Sequence, residues 1–334
     1  MSASIAGLLL ACSKPTATTT SPTTTVDGAS SAQSDSSVPE RTDAASASAD
    51  AGASAPFDDA YLTAKPTSGK SIGHTSIVFK LGLGGDLNAA YKPKSKTGSV
   101  RFRGEIAAYR LAVAWGLTNV PPANFRTFQA SELRSVLDAK AQKTFDDEVV
   151  AEADGTVRGA IIPWIPKLEF IALEKDEQSK KWRPWLGIGV QIATTPTGCD
   201  AKLAGQISTM VAFDLITANW DRWSGGNIGV AHGECDELLF IDNDGTFFDP
   251  VPAELYHRQL TSFNTVKRFS KSFVTALKTV SDDDLRAALG EESPGKPLLP
   301  DRTVNAAIAR KKIVLSSVQA LIGQFGEATI LSLP

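Results

Sequence analysis

Several short stretches of this 334-residue sequence carry side chains suited to moving a phosphoryl group. That reaction asks for a cover over the phosphates, a fixed cation, carboxylates that hold a metal, and an acid that orients the accepting hydroxyl. Lys92 closes Ala89-Ala90-Tyr91-Lys92-Pro93, where a strand would fix the direction of its ammonium, and Glu105 follows at the start of a helical pattern. A buried lysine is costly without a partner, so pairing the two would satisfy both and aim the lysine at phosphate; a pair of solvated surface charges is the competing reading. In the stretch from Phe213 to Asn227, Asp221 follows a helical pattern whose C-terminal dipole opposes an acid, which marks it for work rather than for stability. It would accept a hydrogen bond from the attacking hydroxyl, with Asn227 a metal ligand from the same loop. Phe240-Ile241-Asp242-Asn243-Asp244-Gly245 sets Asp242 at the end of a buried strand, where its carboxylate suits Mg2+ or Mn2+ shared with phosphates. A calcium loop competes for that stretch, but the longer ligand series and the closing Glu are missing. Gly82-Leu83-Gly84-Gly85 either brings backbone close to phosphates or is a plain hairpin turn.

The elements that would position these residues follow from periodicity. His74 to Leu81 and Leu87 to Lys92 read as two strands of a hairpin, with the glycines between them. Gly104 to Leu117 reads as a helix with Ile106, Tyr109 and Val113 on one stripe, and Gly159 to Ile165 as a strand closed by Pro166. Leu203 to Ala218 is a strong helical pattern in which Asp214 continues the apolar face, an unusual place for an acid. Leu238 to Asp242 reads as a further strand, and the chain from about Ser262 to Ile322 as helical. Strands first and helices later predict an α+β domain, with a sheet-rich N-lobe over residues 57–165 and a helical C-lobe over 166–334.

Composition narrows the partners. A net charge of -3 provides no basic field to hold nucleic acid against salt. No run reaches the roughly 18 apolar residues of a membrane-spanning helix, so membrane attachment would need an anchor. Residues 1–12 are expected to supply one: Ile5 to Cys12 resembles a bacterial lipoprotein signal, which would leave lipid on Cys12 and place the protein in a bacterial cell envelope; an ordinary apolar stretch with a chance cysteine is the competing reading. Residues 13–56 are mostly Ser, Thr and Ala, too poor in bulky apolar side chains to offset ordering entropy, and are expected to form a disordered tether. Cys199 and Cys235 would meet an oxidising compartment, where two thiols pair if their backbones come close enough; two unpaired, packed thiols are the alternative. His74, His232 and His257 have no metal-ligand spacing.

Ala89 to Lys92, Glu105 to Leu111 with Val120-Pro121-Pro122, Gly159 to Pro166, Trp182-Arg183-Pro184-Trp185, Asn219 to Arg222 and Ile241-Asp242-Asn243 together resemble the secretory-pathway kinases, the group of the Golgi casein kinase, the xylose kinase and four-jointed. The resemblance runs from about residue 75 to 250. It implies a two-lobed protein-kinase-like fold, ATP with Mg2+ or Mn2+, and transfer to an alcohol group of a secreted or envelope protein or glycan. It matches Lys92 to the nucleotide-binding lysine, Glu105 to its ion-pair glutamate, Asp221 to the catalytic aspartate and Asp242 to the metal-binding aspartate. Gly82, Gly84, Gly85, Lys92, Trp164 and Ile165 would contact the nucleotide. Two positions depart from the pattern: Trp223 stands where a histidine is usual, and Asn227 lies six residues past Asp221 rather than five. A monomer is expected. A kinase-like module that binds nucleotide or a partner without transfer is the alternative, because free ATP is scarce outside the inner membrane.

Overall fold

Lys92 and Glu105 owe their positions to an antiparallel sheet and the helix laid against it. A computed structural model describes residues 57–73, 76–187, 195–223 and 226–334. The expected signal, the lipid site at Cys12, the tether and His74 lie outside them. After a single-turn helix α1 (Ala60–Thr63) come strands β1 (Ser68–Ser71), β2 (Phe79–Gly82) and β3 (Asn88–Pro93), helix α2 (Phe102–Ala114), β4 (Asn124–Gln129), helices α3 (Ala130–Val136) and α4 (Ala139–Glu148), and β5 (Thr156–Pro163). The five strands form one antiparallel sheet in the order β1-β2-β3-β5-β4. Side chains alternate between its two faces. Phe79, Leu81, Tyr91, Phe128, Val157 and Ile161 build one core with Leu133 and Phe145 of α3 and α4. Lys92 pairs with Ala160, and Ala160 packs with Phe102 and Ile106 of α2, so the register turns Lys92 to the α2 side.

The rest is largely helical, as the order of patterns predicts. β6 (Glu169–Phe170), α5 (Asp176–Leu186), α6 (Gly198–Thr217), β7 (Ile228–Ala231) and β8 (Glu237–Phe240) are followed by α7 (Ala253–Thr265), α8 (Lys271–Thr279) and α9 (Asp282–Ala288). A short hairpin, β9 (Glu291–Ser293) and β10 (Lys296–Pro297), leads into α10 (Asp301–Phe325) and α11 (Glu327–Ile330). β6, β7 and β8 form a small antiparallel sheet. α6 is buried almost all round from Ala204 onward, more than the apolar stripe of the helical pattern alone requires. The fold class is the expected one: α+β, sheet-rich first and helical second.

Several local expectations differ. The strand expected over 74–81 begins only at Phe79, and β1 was not legible, since Ser-Gly-Lys-Ser has little strand preference and forms an edge only by pairing with β2. On α2 the buried stripe is Ile106, Ala107, Ala108, Leu111 and Ala112, whereas Val113 is 47% exposed. Small alanines let α2 lie close on the sheet, so apolar size was the wrong guide to its inner face. The β9–β10 hairpin interrupts a region read as helix throughout. Cys199 and Cys235 form a disulfide with Cα atoms 5.1 Å apart, fastening the first turn of α6 to the β7–β8 turn.

Candidate active site

Lys92 is the centre of the site. It is 6% exposed, and its Nζ donates to Glu105 Oε1 at 2.5 Å, to Asp242 Oδ1, and to Asp244 Oδ2 at 3.4 Å. Burial alone would push the ammonium down, but Glu105, Asp242 and Asp244 outweigh it and raise its pKa, so Lys92 is a cation throughout the neutral range. Burial raises Glu105 against the pull of Lys92. Asp242 is also pushed up by burial, yet Lys92, Arg101 and Arg222 reverse the sign and hold it below its ordinary value.

Glu105 reaches Lys92 because α2 starts almost in contact with the 243–246 turn. A Cβ on Gly104 would stand 2.6 Å from the Asn243 carbonyl oxygen and 2.7 Å from Thr246 Oγ1, so only glycine permits that approach. Asp242 precedes the turn with φ 53°, a left-handed conformation uncommon for a residue with a side chain, and its carboxylate is 33% exposed. Arg101, just before α2, clamps Asp244 through Nη2 to Oδ1 at 2.6 Å.

The loop after α6 supplies the other acid. α6 ends at Thr217, with Ala218 in the left-handed region, so Asp221 lies beyond the last turn and the helix-dipole reasoning from sequence does not apply. Asp221 is held by backbone: its N–H donates to Asn219 Oδ1 at 3.0 Å and its carbonyl accepts from Asn227 Nδ2 at 2.8 Å. A Cβ on Gly245 would lie 3.3 Å from the Asp221 Cβ, which brings the two loops together. Partial burial raises Asp221, and the charges of Asp242 and Asp244 add to that rise.

Arg222 is the strut beneath both loops. Its side chain is fully buried, bonded to Asp214 at 3.2 Å, to the carbonyls of Asn227 at 2.7 Å and Ile241 at 2.6 Å, and to Asn243 Oδ1 at 2.7 Å. Asp214, the acid noted on the apolar face of α6, is thereby explained; burial still pushes it up to about 6 against Arg222. An acid on a buried helical face demands a cation, and Arg222, eight residues on, was the nearest candidate in sequence. Arg101 and Asp244 gave no comparable signal, because only the fold brings them to Lys92.

A cleft of about 590 Å³ opens beside this cluster. Val78, Ala90 and Ile162 line its apolar part with Trp164 and Ile165, while Lys92, Glu105, Asn227 and Asp242 line its polar end. The structure therefore gathers Lys92, Glu105, Asp242, Asn227, Trp164 and Ile165 around one space. Asp221 does not line it; it lies beside Gly245 in the turn after Asp242, where the charges of Asp242 and Asp244 reach it. It does not bring Gly82, Gly84 and Gly85 there. That turn joins β2 to β3 at the start of β3; Lys92 lies four residues beyond Asn88, the partner of Gly82, or about 13 Å along the strand. An antiparallel hairpin puts successive turns at opposite ends, so it is Ile72, Gly73 and Ser76, between β1 and β2, that line the cleft at this end.

The donor set fits a divalent cation shared with a ligand. Glu105, Asp221, Asp242 and Asp244 against Lys92 and Arg101 leave a formal excess of two negative charges. Among the described residues no three His, Cys, Asp or Glu converge as a full ligand set. Asp242 would by itself supply only part of a coordination shell, and Mg2+ or Mn2+ held there would need phosphate oxygens and water for the rest.

No family model and no curated protein matches the sequence. Solved structures match its fold. A hydra Fam20 structure with sugar is 19% identical, the match covering 81% of this chain and 90% of that chain with a TM-score of 0.62. The crystal structure of the Golgi casein kinase with Mn/ADP bound is 15% identical, over 82% of this chain and 77% of that chain, with a TM-score of 0.61. The chain has the kinase-like fold of the Fam20 and Golgi casein kinase structures, a sheet-rich part followed by a helical one.

Proposed function

We propose that this protein is an ATP-dependent phosphotransferase whose acceptor is a hydroxyl of an envelope or secreted protein or glycan. The observation that carries the reading is the convergence on Lys92 of Glu105 from α2 and of Asp242 and Asp244 from beyond β8, at a cleft with an apolar inner wall. Such a wall suits a nucleobase, and its polar end suits phosphates. The Golgi casein kinase structure holds Mn and ADP, which supports ATP with Mg2+ or Mn2+ for this chain.

In this reading Lys92 neutralises phosphate oxygens, and Glu105 fixes its direction. Asp242 would hold the metal, with Asn227 Oδ1 as a further ligand; its Nδ2 is already committed to the Asp221 carbonyl. The cation, when bound, would offset charge building on the transferred group. Asp221 accepts the proton of the acceptor hydroxyl as that oxygen bonds to the γ-phosphorus and the bond to the ADP oxygen breaks. Its raised pKa makes it a better base than an ordinary surface carboxylate. We also propose, from the sequence of residues 1–56, attachment to a bacterial envelope through lipid on Cys12.

Incubating the purified chain with γ-phosphate-labelled ATP, Mn2+ and envelope extract tests the proposal, with Asp242→Ala as the control. Labelled acceptors are expected with the native chain and none with the variant. Bound nucleotide that is never turned over would favour the inert binding module instead.

A further inference from the structure

Glu292 takes no part in the cleft, yet its side chain is wholly shut off from solvent. It sits in β9 of the hairpin after α9, and its two carboxylate oxygens meet two arginines of the sheet-rich part. Oε2 accepts from Arg103 Nε at 2.6 Å, and Oε1 accepts from Arg158 Nη2. Arg103 lies on α2 two residues before Glu105, and Arg158 lies on β5. Arg110, two turns along α2, donates to the carbonyl of Glu291 at 2.5 Å, so the helix is fastened to the hairpin segment a second time. On the sheet side Arg158 approaches Glu152 at 4.0 Å, and Lys94 holds Glu152 at 3.0 Å. Charges of alternating sign thus run from Lys94, just past β3, to Arg103 on α2, with Glu292 as the only link from outside the sheet-rich part.

A buried carboxylate is a costly way to pack a hairpin, and apolar residues would do that work better. What two hydrogen-bonded arginines add is direction. Gly104 already seats the first turn of α2 against the 243–246 turn, which limits approach from one side without fixing the helix's rotation. Bonds from Arg103 and Arg110 to the hairpin segment set that rotation, and rotation decides whether Glu105 meets Lys92. We propose that the β9–β10 hairpin is a brace that holds α2 in the pose that pairs Glu105 with Lys92, with Glu292 as the positioning residue. The consequence for nucleotide binding rests on the phosphotransfer reading; the brace itself does not.

The test compares Glu292→Gln and Arg103→Met with the native chain by amide hydrogen exchange and by ADP–Mn2+ titration. Arg103→Met leaves Glu292 paired with Arg158, and so remains informative should Glu292→Gln fold poorly. Faster exchange in α2 by at least about tenfold, with α6 unchanged, is expected in both variants. Nucleotide affinity should fall by on the order of tenfold, with no further fall when Glu292→Gln is added to Glu105→Gln, because one residue acts through the other. Unchanged α2 exchange, equal acceleration in α2 and α6, or affinity losses that simply add would overturn the brace. A native chain that binds no nucleotide would overturn the phosphotransfer reading, and the exchange data would still decide on the brace.

Discussion

Replacing Arg222 by Met should cost most of the domain's stability although Arg222 lines no part of the cleft. The side chain is fully buried and serves Asp214, the carbonyls of Asn227 and Ile241, and Asn243 Oδ1. Breaking a buried ion pair by removing one partner costs about 3–5 kcal/mol, and each orphaned neutral acceptor about 1 kcal/mol where water can partly replace the donor. Allowing for the packing that Met restores, the total is about 6 kcal/mol, comparable with the whole stability of many domains. At roughly 2–4 °C per kcal/mol for a domain of this size, the melting temperature should fall by more than 10 °C. The loss should also depend on pH. Asp214 sits at about 6 with Arg222 pulling it down, so without Arg222 it rises further and the variant keeps losing stability above pH 6. Thermal melts at pH 5 and pH 8 measure both effects. A variant melting within about 3 °C of the native chain, or one equally impaired at both pH values, would refute the reasoning.

The Asp214 ionisation predicts a second pH effect. Its folded pKa of about 6 exceeds the ordinary 3.8, so the stability it lends is complete below about pH 4 and is lost as pH rises to about 6. That difference is worth roughly 3 kcal/mol, and denaturant melts of Asp214→Asn against the native chain should shift by that much in the variant's favour between pH 4 and pH 7. Asp221 must be ionised to accept a proton, and its pKa is raised, so the acid limb of kcat/KM should lie above the ordinary carboxylate range; a limb at or below that range would contradict its role. Cutting the Cys199–Cys235 bond by a Cys199→Ser, Cys235→Ser double variant should cost roughly 3–4 kcal/mol for a loop spanning 36 positions, while leaving nucleotide affinity unchanged, since the bond lies at the far end of α6.

Much of this site was legible because its residues carry local signals. Lys92 ends a strand whose alternation is plain, Glu105 opens an alanine-rich helix, and Asp242 ends an apolar run. What was misread depended on geometry between elements. Of the two readings open for the glycine-rich turn, phosphate cover or plain hairpin turn, the strand register leaves the second, because it puts the turn at the end of the hairpin away from Lys92. Ile72, Gly73 and Ser76, which do reach the cleft, follow β1, a strand with no strand-forming composition. The stripe of Ile106, Tyr109 and Val113 places Val113 on the inner face of α2, whereas the helix buries Ala107, Ala108 and Ala112 and leaves Val113 exposed. Asp221 was singled out for a helix dipole that ends at Thr217. Arg101, Asp244 and Glu292 are ordinary charges in sequence, and become parts of a network only through contacts across 143 and 189 positions.

In the proposed reaction Asp221 acts on the acceptor hydroxyl rather than on the bound nucleotide. Single-turnover transfer from labelled ATP with Mn2+, measured for the native chain and Asp221→Ala beside their ADP–Mn2+ affinities, tests this directly. Turnover should fall by at least about a hundredfold in Asp221→Ala, with affinity within about threefold of native. Native-like turnover in Asp221→Ala, or loss of affinity matching the loss of rate, would contradict it.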